Sequence, residues 1–239
     1  IIEATSLSRV GGRVVLEAGE IELVSDSLID VSGHMGGGDV LVGGDWQGGA
    51  NAQRRVFDDP ELIREANKVS MESGASILAN ATHAGDGGTV VLWSDVFADS
   101  SETRAHGSIE AQGGPEGGDG GLIETSGRRV LFSGIGISTD APSGSVGEWL
   151  IDPDTDLTIS DIDTDSEASS ILTALDTSNV RVVTASGISI RIDKELKHSG
   201  NNVLTFDSGY DLFVSRDLQA GGLVLLAERN LMVEDRAVT

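Results

Sequence analysis

The residues with the most chemical potential in this chain are carboxylates. Asp152, Asp154, Asp156, Asp161, Asp163 and Asp165 crowd one stretch, a density that suits calcium. An EF-hand loop needs glycine at its sixth position and glutamate at its twelfth; here those positions hold Leu157 and Asp163. The Gly-Gly-x-Gly-x-Asp repeat of calcium-binding β-rolls is also unmet. The run therefore reads as a solvated acidic loop. His34, His83, His106 and His198 have no second histidine or carboxylate at ligand spacing, so they read as exposed corner residues rather than metal ligands. "GSVG" at 144–147 has the wrong spacing and context for a nucleophile elbow. Acid–base cleavage of an acidic polysaccharide would need carboxyl groups converging on a cleft with cations for the sugar. Arg54, Arg55, Arg64, Arg128 and Arg129 supply cations, but their spacing gives no convergence. No catalytic residue, cofactor or metal is expected, and the chain reads as a non-enzyme.

A glycine-rich loop is the other candidate for chemistry. "GGDGGLIETSG" spans 117–127. A phosphate cradle would need a helix directly after it or a Lys-Ser/Thr pair. The residues after Gly121 alternate like a strand, so the stretch reads as a corner. Trp46, Trp93 and Trp149 could stack on sugars, but Trp93 and Trp149 sit within strand-like patterns, and the three are expected to cap or fill coil ends.

Composition supports a scaffold. The chain has 239 residues, 38% hydrophobic but only 4% aromatic, so its core must come from Val, Ile, Leu and Ala. Thirty-two glycines against four prolines argue for many tight turns rather than a collagenous or Pro-rich chain. A net charge of −23 opposes nucleic-acid binding, which relies on Lys and Arg. Cysteine is absent, which removes disulfides and thiolate chemistry. No stretch reaches the roughly 18 apolar residues of a spanning helix, so no membrane insertion is expected. The opening "IIEATSLSRV" lacks the pattern of a signal peptide. The chain reads as a piece of something longer.

The elements that carry these residues repeat. Gly12 to Gly38 is 26 residues, Gly88 to Gly121 is 33 and Gly121 to Gly147 is again 26. The 50 residues from Gly38 to Gly88 amount to two periods, or to one period with an insertion. After each corner the chain alternates, as at Val14/Leu16, Val40/Val42 and Val90/Leu92. Later segments starting near Val180, Val203 and Leu223 keep the habit at spacings of 23 and 20. Short period-two segments are strands, and such units bury an apolar face only by stacking. The expectation is an all-β solenoid of parallel coils over 1–239. Its corners lie at Gly37 and Gly38, Gly87 and Gly88, and Gly120 and Gly121. A sandwich of antiparallel hairpins is the alternative, but the two-residue Asn-Gly or Asp-Gly turns it needs are scarce. Gly120 and Gly121 are expected to need glycine through positive φ or close approach.

Two segments break the pattern. Around 58–72, Asp59-Pro60 signals a helix start, with Leu62, Ile63, Ala66 and Val69 after it at helical spacing. This predicts a helical or loop excursion within a wider protrusion over 46–72. It either covers an exposed flank through Leu62, Ile63 and Val69 or serves as a recognition patch built on Trp46, Arg54, Arg55 and Phe57. The second segment, 152–179, reads as an acidic irregular connection with one or two helical turns over 167–176.

Four ordered motifs carry a resemblance. "LVGGDWQGGANAQ" at 41–53, "GGTVVLWSD" at 87–95, "GSIEAQGGPEGGDGGLIETSG" at 107–127 and "WLIDPDTDLTI" at 149–159 resemble the β-helical segment of filamentous-haemagglutinin-like exoproteins. Those are the secreted partners of bacterial two-partner secretion systems. The resemblance implies a right-handed parallel β-helix and export through a dedicated outer-membrane transporter. It further implies a secreted, cell-surface adhesin acting in attachment, aggregation or biofilm as a stalk. The Asn-Pro-Asn-Leu type motif of the secretion domain does not occur here, and the insert near 60–72 is longer than the family pattern. The alternative function is a β-helical module that binds or cleaves polysaccharide.

Overall fold

The computed structural model describes residues 1–50, 63–160 and 166–234. Among these, strands dominate, with one α-helix and one short 3-10 turn. Every pairing between named strands is parallel. The antiparallel sandwich is thereby excluded, and the class is all-β.

The largest sheet holds eight strands in chain order: Arg13–Leu16, Asp39–Val42, Thr89–Trp93, Leu122–Gly127, Glu148–Pro153, Asn179–Val183, Val203–Ser208 and Gly222–Ala227. We call it the long sheet. A five-stranded sheet runs from Ile2–Glu3 through Leu28–Asp30, Ser76–Leu78 and Ser108–Glu110 to Gly136–Ser138. A four-stranded sheet joins Glu20–Leu23, Lys68–Met71, Glu102–Ala105 and Arg129–Leu131. A second joins Leu157–Ile159, Ile190–Ile192, Asp211–Val214 and Asn230–Val233, and a two-stranded pair links Leu196–Lys197 with Leu218–Gln219. Each passage of the chain contributes a strand to more than one sheet. Parallel pairing needs no helical crossover here, because strands of the other sheets lie between successive strands of the long sheet.

Register turns the alternation into ladders. Val14, Val40, Val90, Ile123, Trp149, Val180, Leu204 and Leu223 stand in one column of the long sheet. Ile29, Ile77, Ile109 and Ile137 form another in the five-stranded sheet. These columns face a common interior in which every member but Leu223 is buried. Trp149 lies in that interior, donates its indole N–H to Thr125 Oγ1 at 3.1 Å and meets Phe132 edge-on at 5.6 Å. The late spacing shifts by one residue: Val180 pairs with Leu204 rather than Val203. One residue of slip exchanges the faces of a strand.

Close approach explains the glycine corners. The carbonyls of Gly12, Gly38, Gly88 and Gly121 accept the N–H of Asp39, Thr89, Leu122 and Glu148 in the next passage, at 3.0 to 3.2 Å. A Cβ on Gly38, Gly88, Gly121 or Gly147 would lie 1.9 to 2.1 Å from the previous glycine's carbonyl oxygen. A Cβ on Gly37, Gly87 or Gly120 would meet the carbonyl oxygen of Ala79, Ala111 or Thr139 equally closely. None of these glycines has positive φ; backbone packing alone requires them. Aspartates inside two of the corners tie passages together: Asp86 Oδ1 accepts the Asp119 N–H, and Asp119 Oδ1 accepts the Ser145 N–H, both at 2.8 Å.

Three expectations change. Asp39–Val42 and Thr89–Trp93 are direct neighbours, so the 50-residue gap is one period with an insertion. The expected excursion over 58–72 ends sooner: Lys68–Met71 is a core strand, with Val69 and Met71 inward. Its Val-Ser-Met alternation fits strand period as well as helix spacing, and pairing on both edges decides the matter. Residues 63–66 are not helical, and the proposed helix start at Asp59-Pro60 lies outside the described residues. The connection 152–179 is more regular than expected, because Asp152 and Pro153 end a strand and Leu157–Ile159 is another. Its helix is Glu167–Ala174, capped by Ser166 Oγ accepting the Ser169 N–H, and it packs against the last strand of the five-stranded sheet. No helix among the described residues is long and apolar enough to cross a membrane.

Candidate functional site

The four motif strands are consecutive neighbours in the long sheet. Asp39–Val42 pairs with Thr89–Trp93, that strand with Leu122–Gly127, and that one with Glu148–Pro153. Motifs separated by up to a hundred residues thus converge on one outer surface.

That surface is not solvated. Its central column runs Val15, Leu41, Val91, Glu124, Leu150 and Arg181. Leu41, Val91 and Leu150 form a second apolar cluster with Trp46, Ile63 and Trp93. The chain leaving Asp39–Val42 folds back over its own sheet to build this cluster. Glycine makes the fold-back fit. A Cβ on Gly43 would lie 2.4 Å from the Trp93 carbonyl oxygen, one on Gly44 2.4 Å from the indole, and one on Gly48 2.7 Å from its far edge. Gly43 and Gly48 also have φ of 79° and 59°.

Beneath the cover lies Glu124, at 0% exposure. Its Oε2 accepts the Gln47 N–H at 2.8 Å, while Oε1 has no hydrogen-bond partner. Ser126, two residues on and also buried, brings its hydroxyl to act on the same carboxyl. Gln47 adopts the left-handed region at φ 50° and ψ 42°, uncommon for a residue with a Cβ. Asp45 Oδ1 accepts the Trp46 N–H at 2.7 Å and opens the turn. Burial pushes the Glu124 carboxyl up to about 8; the Gln47 N–H and then the Ser126 hydroxyl draw it back in part, and the charges of Asp152 and Asp45 add smaller rises. Asp152, next along the same face, is pushed up to about 6 by burial and by Asp154, with Arg181 opposing. Glu65, near the Trp93 ring, is raised by burial and by Asp95.

Two carboxyl groups held at different proton affinities are the usual sign of an acid and a base. Here the acid is sealed. A polysaccharide cannot reach a side chain with no exposed surface, and no cation is paired with Glu124 among the described residues. Nor do the described residues hold three or more His, Cys, Asp or Glu side chains placed to bind a metal ion.

The other candidate residues take structural roles. Trp46 is 2% exposed and packs inward; it does not present a recognition surface, because the indole completes the cover. Arg54, Arg55 and Phe57 lie outside the described residues, as does Leu62. Ile63 joins the cover and Val69 the core. The four histidines are half-buried rather than exposed. His34 and His83 stack with ring centres 4.4 Å apart, His106 Nδ1 lies 2.7 Å from the Ser133 carbonyl oxygen, and His198 Nε2 is 3.0 Å from Asp176 Oδ1. Arg128 bonds Asp154 and Asp99, and Arg129 pairs with Glu102. Asp156 Oδ1 accepts the Ser189 N–H at 2.8 Å, while Asp161, Asp163 and Asp165 lie outside the described residues.

Glu124 and Asp45 were not singled out by their types or spacing. The available signal was the long sheet's outer column: strands apolar on both faces are covered on both, and a carboxylate in that column must be buried. No protein-family description matches the chain, and no curated protein does.

Proposed function

We propose that this chain is a structural segment of a filamentous-haemagglutinin-like exoprotein, wound as a right-handed parallel β-helix. It acts as a rigid stalk in a secreted surface protein that mediates attachment or aggregation. The observation that carries the reading is the placement of the four resemblance motifs on four consecutive parallel strands. Stacked glycine carbonyls and apolar ladders supply rigidity without ligand or disulfide. At the usual strand spacing of about 4.8 Å, eight stacked strands extend roughly 34 Å. Export of the full-length protein would use a dedicated outer-membrane transporter, and the receptor would be a surface glycan or protein.

The test has two arms. Small-angle scattering should give an elongated particle; a compact one would remove the β-helix. Beads coated with the purified chain, and beads coated with a variant in which residues 51–62 are replaced by a Gly-Ser linker, should be scored for attachment to cells. Attachment lost with folding intact assigns adhesion to that segment. Equal attachment assigns it to the sheet faces, and no attachment by either leaves a spacer role alone. The second reading, a polysaccharide-binding or polysaccharide-cleaving module, draws on Asp152, which is half-buried and pushed up to about 6 on the same face. Release of reducing ends from an acidic polysaccharide by the purified chain, abolished by Asp152→Asn, would favour it over the stalk.

A further inference from the structure

We propose that the turn Asp45–Ala50 is a proton-held clasp on the outer face of the long sheet, shut while Glu124 is protonated and loosened when it ionises. The turn and the acid are shaped to each other. Gln47 takes a left-handed backbone conformation and directs its N–H onto Glu124 Oε2 at 2.8 Å. Oε1 has no hydrogen-bond partner, and the other group among the described residues that favours the anion is the buried Ser126 hydroxyl on the same strand. A buried carboxylate needs two or three donors to be stable as an anion, whereas a neutral carboxyl needs fewer.

The surroundings also oppose the anion. Val91 and Leu150 flank Glu124 on the adjacent strands. The clasp contributes Asp45, and the strand Glu148–Pro153 contributes Asp152. Asp154 and Arg181 act on Asp152, and Glu65 and Asp95 lie at the Trp93 side of the cover. Among the described residues no cationic side chain is paired with Glu124. Burial, reinforced by Asp152 and Asp45, holds its proton to about pH 8. In the open state water would restore an ordinary carboxyl. Closed and open states then bind protons differently, and linkage requires the balance to shift with pH. Opening exposes Leu41, Val91 and Leu150 together with Trp46 and Trp93.

The native chain has no cysteine, so one introduced thiol is a clean reporter. Val91→Cys places it under the clasp and Ile109→Cys places it in the interior. Labelling by a maleimide is followed from pH 7 to 9.5, each rate divided by that of an unstructured cysteine peptide at the same pH. Protection at position 91 should fall at least tenfold, and by less than twofold when Glu124→Gln is added; position 109 should stay protected in both. Equal pH dependence with and without Glu124→Gln overturns the clasp. So does parallel loss at 109, which signals unfolding. If the double variant does not fold, the carboxyl carbon of Glu124 is titrated by NMR in the unaltered chain. A midpoint below pH 6 overturns the proposal, and one near 8 that coincides with exposure of the tryptophans supports it.

Discussion

Replacing Gly121 by alanine adds one carbon where none fits. The Cβ would lie 2.1 Å from the Gly88 carbonyl oxygen and 2.6 Å from the Gly87 carbonyl carbon. Relief requires moving backbone by about 1 Å within ladders spaced near 4.8 Å. Two hydrogen bonds hold that backbone: Gly121 N–H to the Ala111 carbonyl at 2.7 Å and Leu122 N–H to the Gly88 carbonyl at 3.0 Å. Breaking both inside the stack costs about 1–3 kcal/mol each, so the expected loss is on the order of 4 kcal/mol. For a domain of this size that corresponds to a fall in Tm of roughly 8–16 °C. Two other glycines serve as internal standards. Gly187 has φ 86° and open space around its Cβ position, so alanine there should cost only the left-handed backbone, about 1 kcal/mol. Gly136 has negative φ and its nearest neighbour is at 3.7 Å, so alanine there should be neutral or stabilise by about 0.5 kcal/mol. Urea unfolding of the three variants gives the order directly. Gly121→Ala within about 1 kcal/mol of Gly136→Ala would show that the corners are not close-packed and would refute the reasoning.

Other variants probe the interior and the charges. Ile109→Ala removes a wholly buried member of the isoleucine ladder and should cost about 2–5 kcal/mol in urea unfolding. Arg128→Ala breaks bonds to Asp154 and to the exposed Asp99 and should cost less than about 1 kcal/mol, shrinking further in high salt. Asp152 titrates near 6 in the fold against an ordinary value of 3.8. A raised carboxyl favours folding fully below the unfolded value and loses that contribution as pH rises through the folded one. Asp152→Asn should therefore gain stability relative to the native chain between pH 4 and 6.5. The gain should be at most about 3 kcal/mol, read from denaturation midpoints across that range, and a constant offset would show that Asp152 is not the titrating group.

Much of the fold was legible because backbone geometry writes directly into sequence. A strand shows as period two, and a corner that admits no Cβ shows as glycine; Gly12, Gly38, Gly88, Gly121 and Gly147 thereby mark the passages at their true registers. The helix Glu167–Ala174 was legible only as one or two turns over 167–176, although Ser166 caps it and its first turn carries Glu167. Lys68–Met71 misled because Ile63, Ala66 and Val69 fit helical spacing while Val69 and Met71 fit a strand. Four residues cannot distinguish the periods, and the partners Glu20–Leu23 and Glu102–Ala105 lie more than thirty residues away on either side.

The outer face of the long sheet was harder to read because its chemistry depends on what folds over it. Glu124 in "LIETSG" has the sequence context of a solvated strand residue. It becomes a buried acid only because Gly43 and Gly44 let the chain turn back, Trp46 and Ile63 close the space, and Gln47 bends to offer one N–H. Each of those residues has an ordinary explanation when taken alone. A tryptophan beside glycines in a protrusion invites a surface role, yet Trp46 faces its own sheet. What joins them is register: Leu41, Val91, Glu124 and Leu150 occupy one column. A column that is apolar on its supposedly exposed side requires a cover. Burial then raises the proton affinity of the carboxylate in the middle of it, and two further acids, Asp45 and Asp152, add to the rise. The motif positions therefore include residues that close the sheet's outer face, in addition to those that turn its corners.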